Sequence, residues 1–240
     1  MNCADVTAIS ENQKRYEAIL AGAEQAARRS GRSAAEITVI AVSKTVNAAR
    51  VRDAYQIGWR HFGENRVQEL VSKQEALGEM SDVTWHLIGQ LQTNKVKDVL
   101  SRVAYIHSLD RLSLAQAIQK RAEIQGVACV KCFVEVNVAN EPSKTGLSLD
   151  QVEPFVNSIG EYPSLQLVGL MTVAPLSSCA EEVRPFFRKM SELQRRLQAE
   201  KMPFAPMMHL SMGMTADYEV AVEEGADFIR LGTAVFGARS

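Results

Sequence analysis

The stretch Ile37-Thr38-Val39-Ile40-Ala41-Val42-Ser43-Lys44 decides the fold. Its residues before the lysine are mostly β-branched or apolar, which is typical of a strand covered on both faces in a parallel sheet. The run stops at Lys44, at the carboxyl end of the predicted strand, where ligands bind in parallel barrels and doubly wound sheets. A neutral amine there can form a Schiff base with an aldehyde, whereas a lysine extended into solvent has no such role. On this strand alone both interpretations stay open.

Predicted helices and strands alternate along the whole chain. Strands are predicted at 37–44, 61–65, 84–89, 105–108, 127–138, 165–173, 207–211 and 227–236. Helices are predicted between them at 48–57, 67–77, 94–101, 111–125, 149–159, 181–200 and 215–224, and an extra N-terminal helix lies within about 1–31. Such alternation implies parallel strands with right-handed crossovers. Eight strands in 240 residues favour a single domain over 1–240, a (β/α)8 TIM barrel of the α/β class.

Composition and charge argue against several classes of partner. The 27 basic and 28 acidic side chains give a net charge of −1, so we expect neither nucleic acid nor an anionic membrane as a partner. The first 15 residues carry Asp5 and Glu11 and have no continuous apolar run, which fits neither a signal peptide nor a membrane span. We therefore expect a cytoplasmic protein.

The cysteines and histidines do not predict a metal site. Cys129 and Cys132 have the C-x-x-C spacing of redox pairs and zinc sites, but they fall within a predicted strand, where positions i and i+3 point to opposite faces. No second ligand pair follows, and no histidine has a ligand spacing. We expect ordinary buried thiols.

Polar residues interrupt three of the predicted strands near their carboxyl ends. Glu135 and Asn137 share one face of the fifth strand, and Glu64, Asn65 and His86 end the second strand or lie in the third. Buried polar groups must be hydrogen-bonded or functional. A satisfied network inside the barrel and a ligand site are both consistent with this pattern.

The turns after the seventh and eighth strands carry glycines and hydroxyls. Ser211, Gly213 and Thr215 follow one strand, and Gly232 and Thr233 lie at the exit of the other. Barrels often bind phosphate between these two loops, where glycines expose backbone N–H groups and hydroxyls add donors. The residue types fit a phosphate site, although each turn alone is common.

Arg230 interrupts the eighth strand and points either into the barrel or outward among the helices. Pointing outward, it would pair with an acidic residue. Pointing inward, its guanidinium could donate a hydrogen bond to a neutral ring nitrogen. A Schiff-base lysine, a phosphate clamp and such an arginine together describe pyridoxal phosphate (PLP) as the cofactor.

Motifs along nearly the whole chain resemble one family. The motifs are 41–44 (AVSK), 62–65 (FGEN), 85–89 (WHLIG), 143–146 (SKTG), 169–171 (GLM), 211–214 (SMGM), 230–233 (RLGT) and 236–237 (FG). They resemble the pyridoxal phosphate homeostasis proteins, whose barrel is similar to the N-terminal domain of alanine racemase. The resemblance implies a protein that binds and buffers PLP inside the cell.

The same resemblance implies roles for six residues. Lys44 would form the internal aldimine with PLP, Arg230 would face the ring nitrogen, and Asn65 would lie beside the cofactor. Three others would hold the phosphate: Ser211, Gly232 and Thr233. Thr215 stands where family members often carry serine; it keeps the hydroxyl and adds a methyl group.

Three functions remain open at this point. The first is a monomeric PLP carrier without turnover, with the apo-forms of PLP-dependent enzymes as recipients. The second is a small amino-acid racemase or decarboxylase that uses Lys44 as its base, although no residue is an obvious second acid or base. The third is a Schiff-base aldolase without the cofactor. Lys144, after the fifth strand, is either a solvated loop charge or a gate that accepts the aldehyde during transfer.

Overall fold

The computed structural model describes residues 3–78 and 80–237 and contains a closed barrel of eight parallel strands in sequence order. The strands are β1 (Thr38–Val42), β2 (His61–Glu64), β3 (Thr84–Leu87), β4 (Tyr105–Leu109), β5 (Val130–Val136), β6 (Leu165–Thr172), β7 (His209–Ser211) and β8 (Phe228–Leu231). The ring closes where β8 pairs with β1, with Ile40 opposite Arg230. The predicted barrel is confirmed.

Helices surround the barrel, and one precedes it. They are α1 (Cys3–Arg29), α2 (Ala48–Ile57), α3 (Val67–Ala76), α4 (Leu112–Gln125), α5 (Leu149–Ile159), α6 (Arg184–Ala199), α7 (Tyr218–Glu223) and α8 (Thr233–Phe236). Short 3₁₀ turns lie at Ala34–Glu36, Thr93–Asp98 and Ala180–Val183. Among the described residues, none of the helices is long and apolar enough to cross a bilayer.

Side chains alternate between the two faces of the barrel wall. Alternation and register place Ile40, Phe133 and Phe228 in the lumen, where they form a small apolar cluster of their own. The residues between them, such as Ala41 and Val134, face outward and join the larger core beneath the helices. The lumen and the helix layer are therefore two separate cores, and the polar residues of each strand can be assigned to one or the other.

The predicted N-terminal helix is confirmed and packs against α2, α7 and α8. Tyr16 of α1 meets Trp59 edge-on, with ring centroids 4.9 Å apart. Gly22 lies so close to Tyr218 of α7 that a Cβ there would stand 2.2 Å from the phenol oxygen. A side chain at position 22 would displace the Tyr218 phenol, so this glycine makes room for that ring between the two helices.

The structure corrects the end of the eighth strand, which was predicted to run over 227–236. β8 ends at Leu231, and α8 begins at Thr233 and buries Val235 and Phe236. A short apolar run cannot be assigned to strand or helix by periodicity alone, and this error follows from that. As a result Gly232 and Thr233 lie in a strand-to-helix turn.

Smaller corrections concern element boundaries and one cysteine. The region predicted as a helix at 94–101 is a 3₁₀ turn at Thr93–Asp98, and α7 begins at Tyr218. β5 begins at Val130, so Cys129 precedes the strand and is exposed, whereas Cys132 is buried. The prediction of buried thiols was therefore wrong for Cys129. Burial raises the pKa of the Cys132 thiol, which makes it a small apolar side chain in practice.

Candidate functional site at the carboxyl end of the barrel

Lys44 lies two residues beyond the last residue of β1 and is half-buried. Ile40 and Val42 face the lumen, and Lys44 continues their alternation. Val42 pairs with Gly63 of β2, so Lys44 is level with Asn65 just past the end of that strand. Within the described residues no hydrogen bond to the Lys44 amine is found. The register therefore places the lysine and Asn65 at the same level, at the carboxyl end of the barrel where the sequence predicted a site.

A charged cluster outside the barrel wall fixes the backbone on both sides of Lys44. Lys73 of α3 donates to the carbonyl of Ser43 and to Glu64 Oε1, each at 2.6 Å, and Ser43 Oγ donates to the same carboxylate oxygen. On the other side, Thr45 N donates to Glu69 Oε2 at 2.8 Å. Thr45 has a φ of 64°, which is strained for a β-branched residue. We refer to Ser43, Glu64, Glu69 and Lys73 as the α3 cluster.

Glu64 is the most constrained member of the α3 cluster. It has no exposed surface, and its Oε2 lacks a hydrogen-bond partner among the described residues. Burial raises the pKa of Glu64, while the bonds from Lys73 and Ser43 oppose that shift. Glu64 faces the helices, so this polar strand end belongs to a structural network that supports Lys44.

Arg230 points into the barrel, which settles the alternative left open by the sequence. Its Nη1 donates to Ser211 Oγ and its Nη2 to the carbonyl of Thr172, both at 2.7 Å. Burial lowers the pKa of Arg230 to about 10, so it is protonated at neutral pH. The guanidinium is anchored by two strands and is only 5% exposed.

Ser211 lies next to Arg230 in the structure, and Ser211 has no exposed surface. Its hydroxyl contacts the guanidinium and the ring of His107. A direct contact between Ser211 and a phosphate therefore stays a prediction. Its position behind Arg230 identifies it as a partner of that side chain.

Hydroxyl and backbone donors converge where the loops after β7 and β8 meet. Thr233 Oγ1 lies 3.3 Å from Thr215 Oγ1, which also accepts a hydrogen bond from Ala234 N at 3.4 Å. Both threonines are exposed, and Gly232 beside them is half-buried. Asp217 holds the first loop by accepting from Met214 N at 2.6 Å. Thr215, where family members often carry serine, is the exposed hydroxyl that faces Thr233.

Asn65 is positioned by a close approach of two loops. A Cβ at Gly89, which follows β3, would stand 2.4 Å from the Asn65 carbonyl oxygen. Only glycine allows the two backbones to pack at this distance. The glycine of the WHLIG motif therefore fixes where Asn65 lies.

Glu135 of β5 lies on the lumen face, whereas Asn137 follows the end of the strand and belongs to the next loop. Glu135 accepts from Thr145 Oγ1 at 2.7 Å and from Gln90, and burial raises its pKa. Asn137 instead ties its own loop together, with Nδ2 donating to the carbonyl of Glu141 at 2.8 Å. Lys144 pairs with Glu141 Oε1 at 2.6 Å in the same loop. Asn137 thus belongs to a satisfied network, and its role is to shape the rim of the site.

Sequence reasoning missed the extent of the histidine contacts. It singled out His86 alone, whereas the structure links His61, His86 and His107 in the lumen. Alternation along β2, β3 and β4 would have placed all three histidines on the lumen face. It would not have shown that their rings contact one another. Within the described residues there is no cluster of three or more potential metal ligands among His, Cys, Asp and Glu.

Comparisons with known proteins identify the family. The model of the alanine racemase N-terminal domain matches residues 15–240. A pyridoxal phosphate homeostasis protein of Aquifex aeolicus (strain VF5) is 43% identical over 226 residues, covering 94% of this chain and 97% of the relative. The protein of that name in Escherichia coli (strain K12) is 37% identical over 222 residues, covering 89% of this chain and 91% of the relative.

A solved structure agrees with these relatives. PipY of Synechococcus elongatus PCC7942, determined with PLP bound, is 37% identical and superimposes with a TM-score of 0.77, covering 84% of this chain and 93% of PipY. Sequence and fold therefore agree over most of each chain, and this protein belongs to the pyridoxal phosphate homeostasis protein family.

Proposed function

We propose that this protein binds PLP covalently through Lys44 and buffers it in the cell, without turnover of its own. The observation that carries the proposal is the convergence at one end of the barrel of a half-buried lysine, an anchored guanidinium and a pair of exposed threonine hydroxyls. Relatives named for PLP homeostasis and the PLP-bound PipY support it.

The residues present fit the cofactor in charge and in donor type. The Thr215 and Thr233 hydroxyls and the Ala234 N–H form a donor set suited to an anion. Arg230 carries its charge in the lumen and has further N–H groups beyond the two bonded to Ser211 and Thr172, which suit an unprotonated ring nitrogen. PLP supplies an aldehyde and an electron-accepting ring when bound. In this proposal Thr215, Gly232 and Thr233 hold the phosphate, Arg230 orients the ring, and Asn65 lines the site beside Lys44.

The α3 cluster determines how Lys44 is presented. Lys73 and Glu69 hold the carbonyl of Ser43 and the N–H of Thr45, so the backbone on both sides of the lysine is fixed from outside the barrel. A nucleophile held in this way keeps its amine near the aldehyde without ordering a loop each time the cofactor binds. This suits a protein that must take up and release the same ligand repeatedly, with apo-enzymes that use PLP as recipients.

The proposal is tested by trapping the bound cofactor. The purified protein is incubated with PLP, its absorbance spectrum is recorded, and borohydride reduction is followed by peptide mass analysis. We expect a pyridoxyl adduct on Lys44, and neither adduct nor absorbance band in Lys44→Ala. Lys120→Ala, which removes an exposed lysine of α4, is the matched control and should bind like the parent. A parent protein that takes up no PLP, or an adduct only on another lysine, would contradict the proposal.

Absence of turnover needs its own measurement. The PLP-loaded protein is incubated with a panel of amino acids while chirality and carbon dioxide release are followed. We expect no change in either at protein concentrations where cofactor transfer to an apo-enzyme is measurable. Steady racemisation or decarboxylation that is lost in Lys44→Ala would show that the protein is an enzyme.

A further inference from the structure

A chain of side-chain hydrogen bonds crosses the barrel lumen. His61 Nδ1 lies 3.0 Å from His86 Nε2, and His86 Nδ1 lies 3.0 Å from His107 Nε2. His107 Nδ1 lies 3.0 Å from Ser211 Oγ, which accepts from Arg230 Nη1. We call His61, His86 and His107 the histidine chain. It links the N-terminal end of β2 to the guanidinium at the candidate site.

The histidine chain is unusual for this position in the fold. The interior of such barrels is normally filled by branched aliphatic side chains. His86 and His107 have no exposed surface, and His61 is half-buried. Burial lowers the pKa of all three rings, and the neighbouring ring adds to the effect at His86 and His107. The rings are therefore neutral at neutral pH.

Neutral rings in contact cannot choose their tautomers independently. Each neutral imidazole has one N–H donor and one acceptor nitrogen, and every ring–ring contact needs one hydrogen between the two nitrogens. Both nitrogens of His86 and of His107 are used in the chain. Only two arrangements satisfy all the contacts: Nε2–H on all three rings, or Nδ1–H on all three.

Ser211 decides between these arrangements. If the rings carried Nδ1–H, the Ser211 oxygen would accept from both His107 and Arg230, and its own hydrogen would have no acceptor among the described residues. If the rings carry Nε2–H, Ser211 donates to His107 Nδ1 and accepts from Arg230. The chain then ends with an N–H on half-buried His61, the ring nearest to water. Only this second arrangement leaves no buried hydrogen unpaired.

We propose that the histidine chain positions Arg230. By accepting the Ser211 hydrogen, His107 directs the oxygen lone pairs of Ser211 toward the guanidinium, and His86 and His61 hold His107 in the tautomer that can accept. Tyr105 stacks on His86, with ring centroids 5.1 Å apart, and Phe133 stacks on His107, with centroids 4.3 Å apart. These contacts restrict the rotation of the two imidazole rings. The importance of this arrangement for PLP rests on the proposed function, whereas the arrangement itself does not.

The tautomers can be measured on the ligand-free protein. With ¹⁵N-labelled histidine, NMR distinguishes Nδ1–H, Nε2–H and charged rings, and single variants assign the signals. We expect His61, His86 and His107 all to be neutral Nε2–H at pH 7.5. His209→Phe is the control, because this histidine is not in the chain, and it should leave the three signals unchanged. A charged ring, or an Nδ1–H ring among the three, would overturn the proposal.

Variants at Ser211 separate positioning from simple packing. Ser211→Ala removes the hydroxyl that donates to His107 Nδ1. An Nδ1–H there would have no acceptor, so we expect the rings to stay Nε2–H and the ¹⁵N signal of His107 Nδ1 to move to the position of an acceptor without a hydrogen bond. Ser211→Thr retains the hydroxyl and should keep the parent signal. A packing role predicts the same His107 Nδ1 signal in both variants, and that outcome would contradict the proposal.

The consequence for Arg230 is measured with ¹⁵N-labelled arginine. An anchored guanidinium rotates slowly about its Cζ–Nη bonds and gives separate Nη signals, which we expect in the parent and in His209→Phe. His86→Phe keeps the ring volume but interrupts the chain, and we expect averaged Arg230 signals and PLP affinity lower by about tenfold. Separate signals and unchanged affinity in a folded His86→Phe protein would overturn the proposal. If the arginine signals respond as expected but the parent binds no PLP, the proposed function alone fails.

Discussion

Two buried polar networks flank the candidate site, one on each side of the barrel wall. The α3 cluster lies outside the wall and fixes the backbone around Lys44 with an ion pair. The histidine chain lies inside the wall and holds Arg230 through Ser211 with neutral rings. Both networks support a side chain at the carboxyl end of the barrel, but they use opposite chemistry.

The difference follows from what each network has beside it. The lumen already holds the guanidinium of Arg230, whose pKa burial lowers to about 10. A second cation there would face desolvation and repulsion together, so neutral rings are the less costly way to continue the hydrogen bonds inward. Outside the wall, α3 supplies Lys73 directly opposite Glu64, and the two charges offset one another. An ion pair is thus used where an ammonium group and a carboxylate are in contact, and neutral rings are used where the neighbouring charge is itself a cation.

Breaking the ion pair should give the largest loss of stability. Lys73→Met removes the ammonium group and leaves the fully buried Glu64 carboxylate without its positively charged partner. We expect the free energy of unfolding to fall by about 3–5 kcal/mol, as measured by urea denaturation at pH 7.5. Lys120→Met on the exposed face of α4 is the control and should change little. A loss no larger than that of the control would mean that Glu64 is not charged in the folded protein.

The pH dependence of this variant sharpens the test. The folded-state pKa of Glu64 is raised above its ordinary value of 4.5, so its contribution to stability is greatest below that pH and declines as the pH rises through the folded pKa. Without Lys73 the shift grows, so the deficit of Lys73→Met should increase between about pH 5 and pH 8. Glu64→Gln in the Lys73→Met background should remove this increase. A deficit that stays constant with pH would contradict the assignment.

Interrupting the neutral network should cost less. His86→Phe leaves His61 and His107 each with one unpaired nitrogen, which we expect to lower the free energy of unfolding by about 1–3 kcal/mol at pH 7.5. His209→Phe is the control for loss of an imidazole outside the chain. A loss of unfolding free energy as large as that of Lys73→Met would mean that the neutral network stabilises the protein as much as the ion pair does.

The two networks also differ in the sign of their pH dependence. The folded-state pKa values of His86 and His107 lie well below 6.5, so their contribution is complete above pH 6.5 and is lost as the pH falls below it. Each ring adds a slope of about 1.4 kcal/mol per pH unit in that region. His86→Phe should remove one such slope from the unfolding free energy measured between pH 6.5 and pH 5. An unchanged slope would mean that this ring is already charged in the fold.

The sequence predicted the barrel well because its signal is repeated in every strand and helix. Lys44, Arg230 and the turns after the seventh and eighth strands could be assigned because each stands at the carboxyl end of a strand, where parallel strands bring residues together. The roles proposed for Lys44, Asn65, Gly232 and Thr233 remain predictions. The structure adds that these residues lie at the same end of the barrel.

The supporting networks could not be predicted, for two physical reasons. Lys73 on α3 reads as an ordinary polar helix position, and only the tertiary fold brings it to Ser43 and Glu64. The histidine chain depends on the stagger between strands, which brings His107 of β4 to Ser211 of β7 across the lumen. Alternation gives the face on which a side chain lies but not its partner, so the contact of Ser211 with Arg230 could not be predicted.

The exposed ion pairs between α6 and α7 should show the smallest effect and complete the comparison. Arg188 is 58% exposed and bonds to Glu224, which also accepts from Arg184 Nη1 at 3.0 Å. Arg188→Ala therefore leaves the carboxylate with a partner, and water replaces the lost contact. We expect the urea midpoint of Arg188→Ala to match that of the parent at both low and high salt. A loss comparable with that of His86→Phe would show that stability in this barrel depends on the number of ionic contacts, and burial would no longer explain why Lys73 and His86 matter more.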